Sequence, residues 1–197
     1  MIETIIIFFT ALLLGILLTK LLIPVVFARS AELVLEKAEE LHPDVVLCIG
    51  QAGGRANLTV EKVGINLMDG RIADNEGYQP VDEPIKADGE TAYFSNLPVK
   101  GVVNAIREAG IPASVSYTAG TYVCNYILYT TMYLINKKYP HIKGGFMHIP
   151  FAPEQAITKS PSTATMPIPM IADGIKAAAK FILTNSEELK VNEGTEH

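Results

Sequence analysis

The sequence predicts an α/β fold: a single three-layer domain with a mostly parallel central sheet and helices on both faces. Three observations carry this. Short apolar runs alternate with longer amphipathic stretches along the chain. Residues 45–49, Val-Val-Leu-Cys-Ile, form a continuous apolar run of the kind found in strands covered on both faces. A glycine-rich turn follows that run directly, where open α/β sheets place ligand-proximal loops.

Each element has its own signals. Residues 23–27 read as a short apolar strand, and Ser30 as the cap of a helix running to Leu41, with its apolar residues on one stripe and Pro43 blocking continuation. After the strand at 45–49 and the turn at 50–55, residues 63–67 read as another strand. Residues 69–90 are polar and rich in turn formers, a long surface excursion. Residues 97–108 form an amphipathic helix stopped by Gly110 and Pro112. A strand at 113–117, a largely apolar and therefore buried helix at 122–136, and a strand at 145–149 follow. Pro167 or Ile168 opens the last helix, and the charged tail beyond Asn185 is expected to fray. The organisation is thus an atypical apolar segment at 1–22, one α/β domain at 23–185 and a polar tail at 186–197.

Composition bounds the function. With 197 residues, 49% of them apolar, the chain can bury one substantial core. A net charge of −5 offers no basic footprint, so nucleic acid is not an expected partner. Two cysteines make no disulfide framework, which points to a reducing compartment and a cytoplasmic location. His42, His141, His148 and His197 are scattered, with no CxxC or HExxH, so no metal and no organic cofactor is expected. The turn at 50–55 lacks the Lys-Ser or Lys-Thr of a phosphate loop and the dinucleotide-binding spacing.

The reactive candidates are Cys124 and His148. Cys124 follows Ser116-Tyr117-Thr118-Ala119-Gly120-Thr121-Tyr122-Val123, a loop running into a helix, which places the thiol in the first turn. Unsatisfied N–H groups there favour thiolate and can hold an oxyanion, so a lowered thiol pKa is expected. His148 ends a strand-like run and can supply the base. Taken alone, each is more often a core residue than a catalyst. Cys48, inside the run at 45–49, has the structural reading.

The chain resembles the pyroglutamyl peptidase I family of cysteine peptidases from about Ile23 onward. The matching stretches are Ile23-Pro24-Val25-Val26-Phe27, Gly50-Gln51-Ala52-Gly53-Gly54-Arg55, Asp74-Asn75-Glu76-Gly77, Ala92-Tyr93-Phe94-Ser95-Asn96-Leu97-Pro98, Gly110-Ile111-Pro112-Ala113, Ala119-Gly120-Thr121-Tyr122-Val123-Cys124-Asn125 and His148-Ile149-Pro150-Phe151. Val60-Glu61-Lys62-Val63 stands where the family carries its acid. The resemblance implies a triad of Cys124, His148 and Glu61, substrate contacts from Gln51 and Arg71, and a homo-oligomer. A structural salt bridge is an equal reading for Arg71. The implied substrates are peptides with an N-terminal pyroglutamyl residue, a neutral lactam that an ammonium-reading aminopeptidase site cannot exploit.

The front end departs from the family. Residues 1–22 contain no Gly-Phe-x-Pro-Phe-Gly-Gly segment, which in the family supplies aromatics to the lactam pocket. Phe8 and Phe9 are possible replacements that no spacing supports. Three readings are open: a membrane anchor, a substitute strand at 5–9 with a covering segment at 11–22, or a start altered by a frame change. The uncharged run at 4–18 is shorter than the roughly twenty residues that span a bilayer. Lys20, Arg29 and Lys37 would keep the domain cytoplasmic if the run were inserted. The β-branched and aromatic content of residues 5–9 favours entry into the sheet over membrane association, with an incomplete pocket and weak activity as the expected result; the alternative is a catalytically impaired or non-enzymatic relative acting as a binding or vestigial domain.

Overall fold

The structure, a computed structural model, describes residues 4–12, 15–185 and 187–194. Its core is a six-stranded sheet built around two strands that are apolar and buried along nearly their whole length, β3 (Val45–Gln51) and β8 (Lys143–Ile149). With β1 (Thr4–Leu12), β2 (Gly15–Ile23), β4 (Leu58–Glu61) and β7 (Ala113–Ser116), the order is β2-β1-β3-β8-β4-β7. Two further strands, β5 (Val63–Ile65) and β6 (Ala92–Phe94), pair separately.

Alternation along β3 sorts the core into two halves. Val46 and Cys48 face α1 (Phe27–Leu41) and α3 (Val123–Lys137). Val45, Leu47 and Ile49 face α2 (Val99–Glu108) and α4 (Ile168–Thr184). The chain is therefore one α/β domain with a helical layer on each face. The sheet, however, is mixed rather than mostly parallel. β3 with β8 and β4 with β7 are parallel, while β1 with β2, β1 with β3 and β4 with β8 are antiparallel. Only residues 13–14 separate β1 from β2, too few for the crossover that parallel neighbours need.

The front of the chain differs from the expected layout in two more ways. Residues 11–22, weighed as a covering helix, fall largely in β2, whose Leu17, Leu18 and Leu22 are exposed at the sheet edge. Residues 5–9 lie in β1 with Ile5 opposite Ile49 and Ile7 opposite Leu47. The side chains of Phe8 and Phe9 fall outside the described residues. The expected strand at 23–27 is absent, because β2 ends at Ile23 and α1 already begins at Phe27. Ser30 is not its cap; its hydroxyl donates back to the Phe27 carbonyl. Among the described residues, no helix is long and apolar enough to cross a membrane.

The cap of α1 comes from far along the chain. The Asp74 carboxylate accepts the Phe27 N–H at 3.1 Å, and its other oxygen accepts the N–H groups of Glu76 and Tyr78. This explains the Asp-Asn-Glu-Gly block: one buried carboxylate ties the excursion at 69–90 to a helix N-terminus. Burial opposes its charge, but the surrounding N–H groups hold its carboxyl below its ordinary pKa.

The tail is equally anchored through residue 194. Glu188 accepts the N–H groups of Lys100 and Gly101 in the first turn of α2, and Glu193 pairs with Arg107 in its last turn. Tyr117 donates its hydroxyl to the Glu193 carbonyl. Frayed polar chain was expected here, but an uncapped helix N-terminus gives Glu188 a place to bind.

Asp74→Ala is expected to lower the unfolding free energy by about 2–3 kcal/mol, the scale of hydrogen bonds to a charged group. The folded carboxyl binds its proton less readily than the unfolded one. The contribution of Asp74 is thus complete above the ordinary Asp range, near 3.9, and is lost as pH falls through the lower folded value. Urea unfolding of both proteins between pH 7 and pH 3 should show the gap closing.

Candidate active site

The site lies at the end of β8, where His148 has Gly50 of β3 on one side and Thr59 of β4 on the other. Its Nδ1 stands 2.7 Å from Glu61 Oε1. Both groups are shielded from water: Glu61 is fully buried and His148 is 4% exposed. The same Oε1 accepts a hydrogen bond from Arg55 Nη1 at 2.6 Å. Arg55 closes the glycine-rich turn after β3, and it also donates to Thr59 Oγ1 and to the Thr118 carbonyl. An ionised carboxylate only accepts, so facing one the imidazole would carry its proton on Nδ1 and turn the Nε2 lone pair away from Glu61. The Phe146 ring packs 4.7 Å from the imidazole and fixes its plane.

Cys124 comes to the same face of the sheet from the first turn of α3. Gly50 is what admits it. A Cβ there would stand 3.0 Å from Cys124 Sγ and 2.7 Å from the Phe146 ring. The missing side chain lets the sulfur rest over β3 beside the register partner of His148. Gly120, at φ +79°, turns the preceding loop into the helix. The first intrahelical bond is made by the Tyr126 N–H to the Tyr122 carbonyl. The N–H groups before it are those available to an oxyanion. Asn125 fixes this end of α3, bonding both the N–H and C=O of Ile65 and the C=O of Leu67.

The expected lowered thiol pKa is not found. Burial pushes the Cys124 thiol up to about 12, the Glu61 charge adds to the rise, and Arg55 opposes it. Desolvation is the largest of these effects. Burial thus favours the neutral thiol of Cys124 over its thiolate. Cys48, wholly buried against Thr131, is also pushed up to about 12.

The structure thus gathers Cys124, His148 and Glu61. It does not bring Gln51 or Arg71 into contact with them. Gln51 pairs its side-chain amide with Gln155, at the edge of an apolar cavity of about 520 Å³ lined by Ile49, Ile149, Ile171 and Ile175. Arg71 is exposed and makes no hydrogen bond or ion pair among the described residues, so no salt bridge accounts for it there. Sequence reasoning passed over Arg55, Gly50 and Asn125. All three lie inside matched blocks, but only the fold gives them partners. Among the described residues, no cluster of His, Cys, Asp and Glu could hold a metal.

Comparison with known proteins agrees with this architecture. A family model described as pyroglutamyl peptidase matches residues 13–185, beginning somewhat before Ile23. The pyrrolidone-carboxylate peptidase of Lactobacillus johnsonii is 54% identical over 180 residues, covering 90% of this chain and 83% of that protein. Its counterpart from Clostridium perfringens is 53% identical over 171 residues, covering 87% and 80%. The crystal structure of pyroglutamyl peptidase I from Bacillus amyloliquefaciens superposes with a TM-score of 0.84 at 44% identity, over 86% of this chain and 80% of that one. The pyrrolidone carboxyl peptidase of Thermococcus litoralis gives 0.83 at 35% identity, over 86% and 81%.

The labelling rate of Cys124 by iodoacetamide should rise about tenfold per pH unit from pH 6 through pH 9, as for a thiol whose thiolate is a minor species. Cys48 should react only on unfolding. A Cys124 rate that levels off below pH 7 would mean a resting thiolate–imidazolium pair instead.

Proposed function

Because the chain belongs to the pyroglutamyl peptidase family, we propose that Cys124, His148 and Glu61 carry its cysteine-type hydrolysis of the bond after an N-terminal pyroglutamyl residue. The observation that supports these roles is the 2.7 Å contact between His148 Nδ1 and the buried Glu61, on the strand register that faces Cys124. His148 Nε2 takes the thiol proton as Sγ attacks the pyroglutamyl carbonyl carbon. Proton transfer accompanies attack because the free thiolate is costly in this buried setting. Negative charge on the carbonyl oxygen is met by N–H groups of the first turn of α3. Collapse expels the amine of the following residue, which takes its proton from His148. A water deprotonated by the same imidazole then attacks the thioester carbonyl, the C–S bond breaks, the imidazolium returns its proton to Sγ, and pyroglutamate is released. Glu61 holds the ring and stabilises its cationic form throughout.

Gln51 and Arg71 are the proposed substrate contacts. Gln51 directly follows Gly50, and its amide can exchange Gln155 for a ligand at little cost. Arg71 is an uncommitted cation on the loop that Asp69 ties to Thr121. The lactam pocket is proposed to be incomplete, since residues 1–22 lack the Gly-Phe-x-Pro-Phe segment. A homo-oligomeric state and a cytoplasmic location complete the reading. They are supported by family resemblance and, for the location, by two free thiols.

On a pyroglutamyl fluorogenic amide, Cys124→Ser and His148→Ala should each lower kcat about a thousandfold or more, and Glu61→Gln somewhat less, with the fold intact by circular dichroism. Near-native turnover in His148→Ala would assign the base elsewhere. The unmodified chain should fall at least about tenfold in kcat/KM below a relative that carries the Gly-Phe-x-Pro-Phe segment, the scale of a poorly filled apolar pocket. Equal kcat/KM would mean that other residues rebuild the pocket.

A further inference from the structure

Glu61 sits where a charge is costly. Its side chain is fully buried, and Oε2 has no hydrogen-bond partner among the described residues. Left alone, a carboxyl so desolvated takes up a proton. A neutral carboxyl can donate as well as accept. Facing His148 Nδ1, it would donate, and the imidazole proton would then sit on Nε2. The ring would present a donor to Cys124, where the reaction needs an acceptor. The identity of the base therefore depends on what keeps Glu61 ionised.

The described residues offer one cation against it. Arg55 places Nη1 2.6 Å from the oxygen that His148 uses. A guanidinium does not give up its proton in a protein, so it holds this charge at any working pH. Its fork is also tied down at Thr59, the cross-strand partner of His148, and at the Thr118 carbonyl in the loop that leads to Cys124. The charged and titratable groups facing His148 are Glu61 from β4, Arg55 from the turn after β3 and Cys124 from α3, with the Phe146 ring alongside.

We propose that Arg55 is a positioning residue that keeps Glu61 ionised, and so keeps the His148 proton on Nδ1 and Nε2 ready to accept from Cys124. The role rests on the triad reading above and adds a fourth member that never touches substrate. A guanidinium that merely pinned the turn would leave the tautomer alone.

The test uses protein labelled with nitrogen-15 histidine, with the His148 resonances assigned by His148→Gln. In the unmodified protein the neutral ring is expected as the Nδ1–H tautomer. In Arg55→Met the proton should move to Nε2. Hydrolysis of the pyroglutamyl amide should lose about 10- to 100-fold in kcat with KM within about twofold, and its acid limb should shift to higher pH. Arg55→Lys, which keeps the charge but not the fork, should retain the Nδ1–H tautomer and recover part of kcat. Because Arg55 is about a quarter exposed, added guanidinium should reach its site in Arg55→Ala and restore rate. Retention of the Nδ1–H tautomer in Arg55→Met overturns the proposal. So does a fall in kcat that neither alters the tautomer nor responds to guanidinium. If Arg55→Met does not fold, the lysine variant and the guanidinium titration decide the matter. If the unmodified chain hydrolyses no pyroglutamyl amide, the activity reading fails by itself, while the tautomer comparison still decides the role of Arg55.

Discussion

A single carboxylate oxygen organises this site. Glu61 Oε1 is shared by His148 and Arg55 at 2.7 and 2.6 Å, inside a sheet that excludes water. Burying such charges costs several kcal/mol per ion unless partners compensate, and here three separate segments of chain supply the compensation. β4 carries the acid, β8 the imidazole and the turn after β3 the guanidinium. Each segment is fixed by its strand, so the charges hold their geometry without relying on flexible surface groups. The same burial that makes the charge pair costly to disturb also pushes the Cys124 thiol up.

Much of this was legible in the sequence, and the exceptions have physical causes. Val45–Gln51 reads as a covered strand because it is apolar without a break, and α2 and α3 carry unambiguous helical patterning. β4 was passed over because only Leu58, Thr59 and Val60 precede a charged residue, and no local signal says that Glu61 is interior. β6 is three residues long and exists because β5 pairs with it. Cys124 and His148 were recognisable as chemistry by residue type and context. Arg55 was not, since an arginine at the end of a turn looks like a solvated one until the fold brings it a buried partner. The direction of the Cys124 shift has a related cause: helix position is a local signal, whereas burial of the thiol comes from the fold.

The N-terminal hairpin and the mixed sheet belong together. β3 has an apolar edge, and β1 satisfies its backbone while placing Ile5 and Ile7 on the α2/α4 side and Ile6 on the α1/α3 side. Burial is indifferent to strand direction, so an antiparallel strand fills the position as well as a parallel one. The specific chemistry of the family's front segment is a different requirement from the hydrophobic one. The hairpin moves the exposed edge outward to β2, where Lys20 is the only charge in the strand.

The strand order β2-β1-β3-β8-β4-β7 places the last strand of the chain in the middle of the sheet. β3 and β4 therefore cannot close against each other as they leave the ribosome; the slot between them stays open until residue 149 has emerged. That slot is where His148 will sit, and Glu61 and Arg55 wait on its rim. Contacts made so late span long stretches of sequence and carry a high loop-closure cost, which slows folding and leaves apolar strand edges unpaired in the nascent chain. A ribosome stalled short of β8 would hold a split sheet in which Glu61 lacks its histidine partner. Sheet closure and site assembly are thus one event for this fold: the strand that fills the slot brings His148 to Glu61.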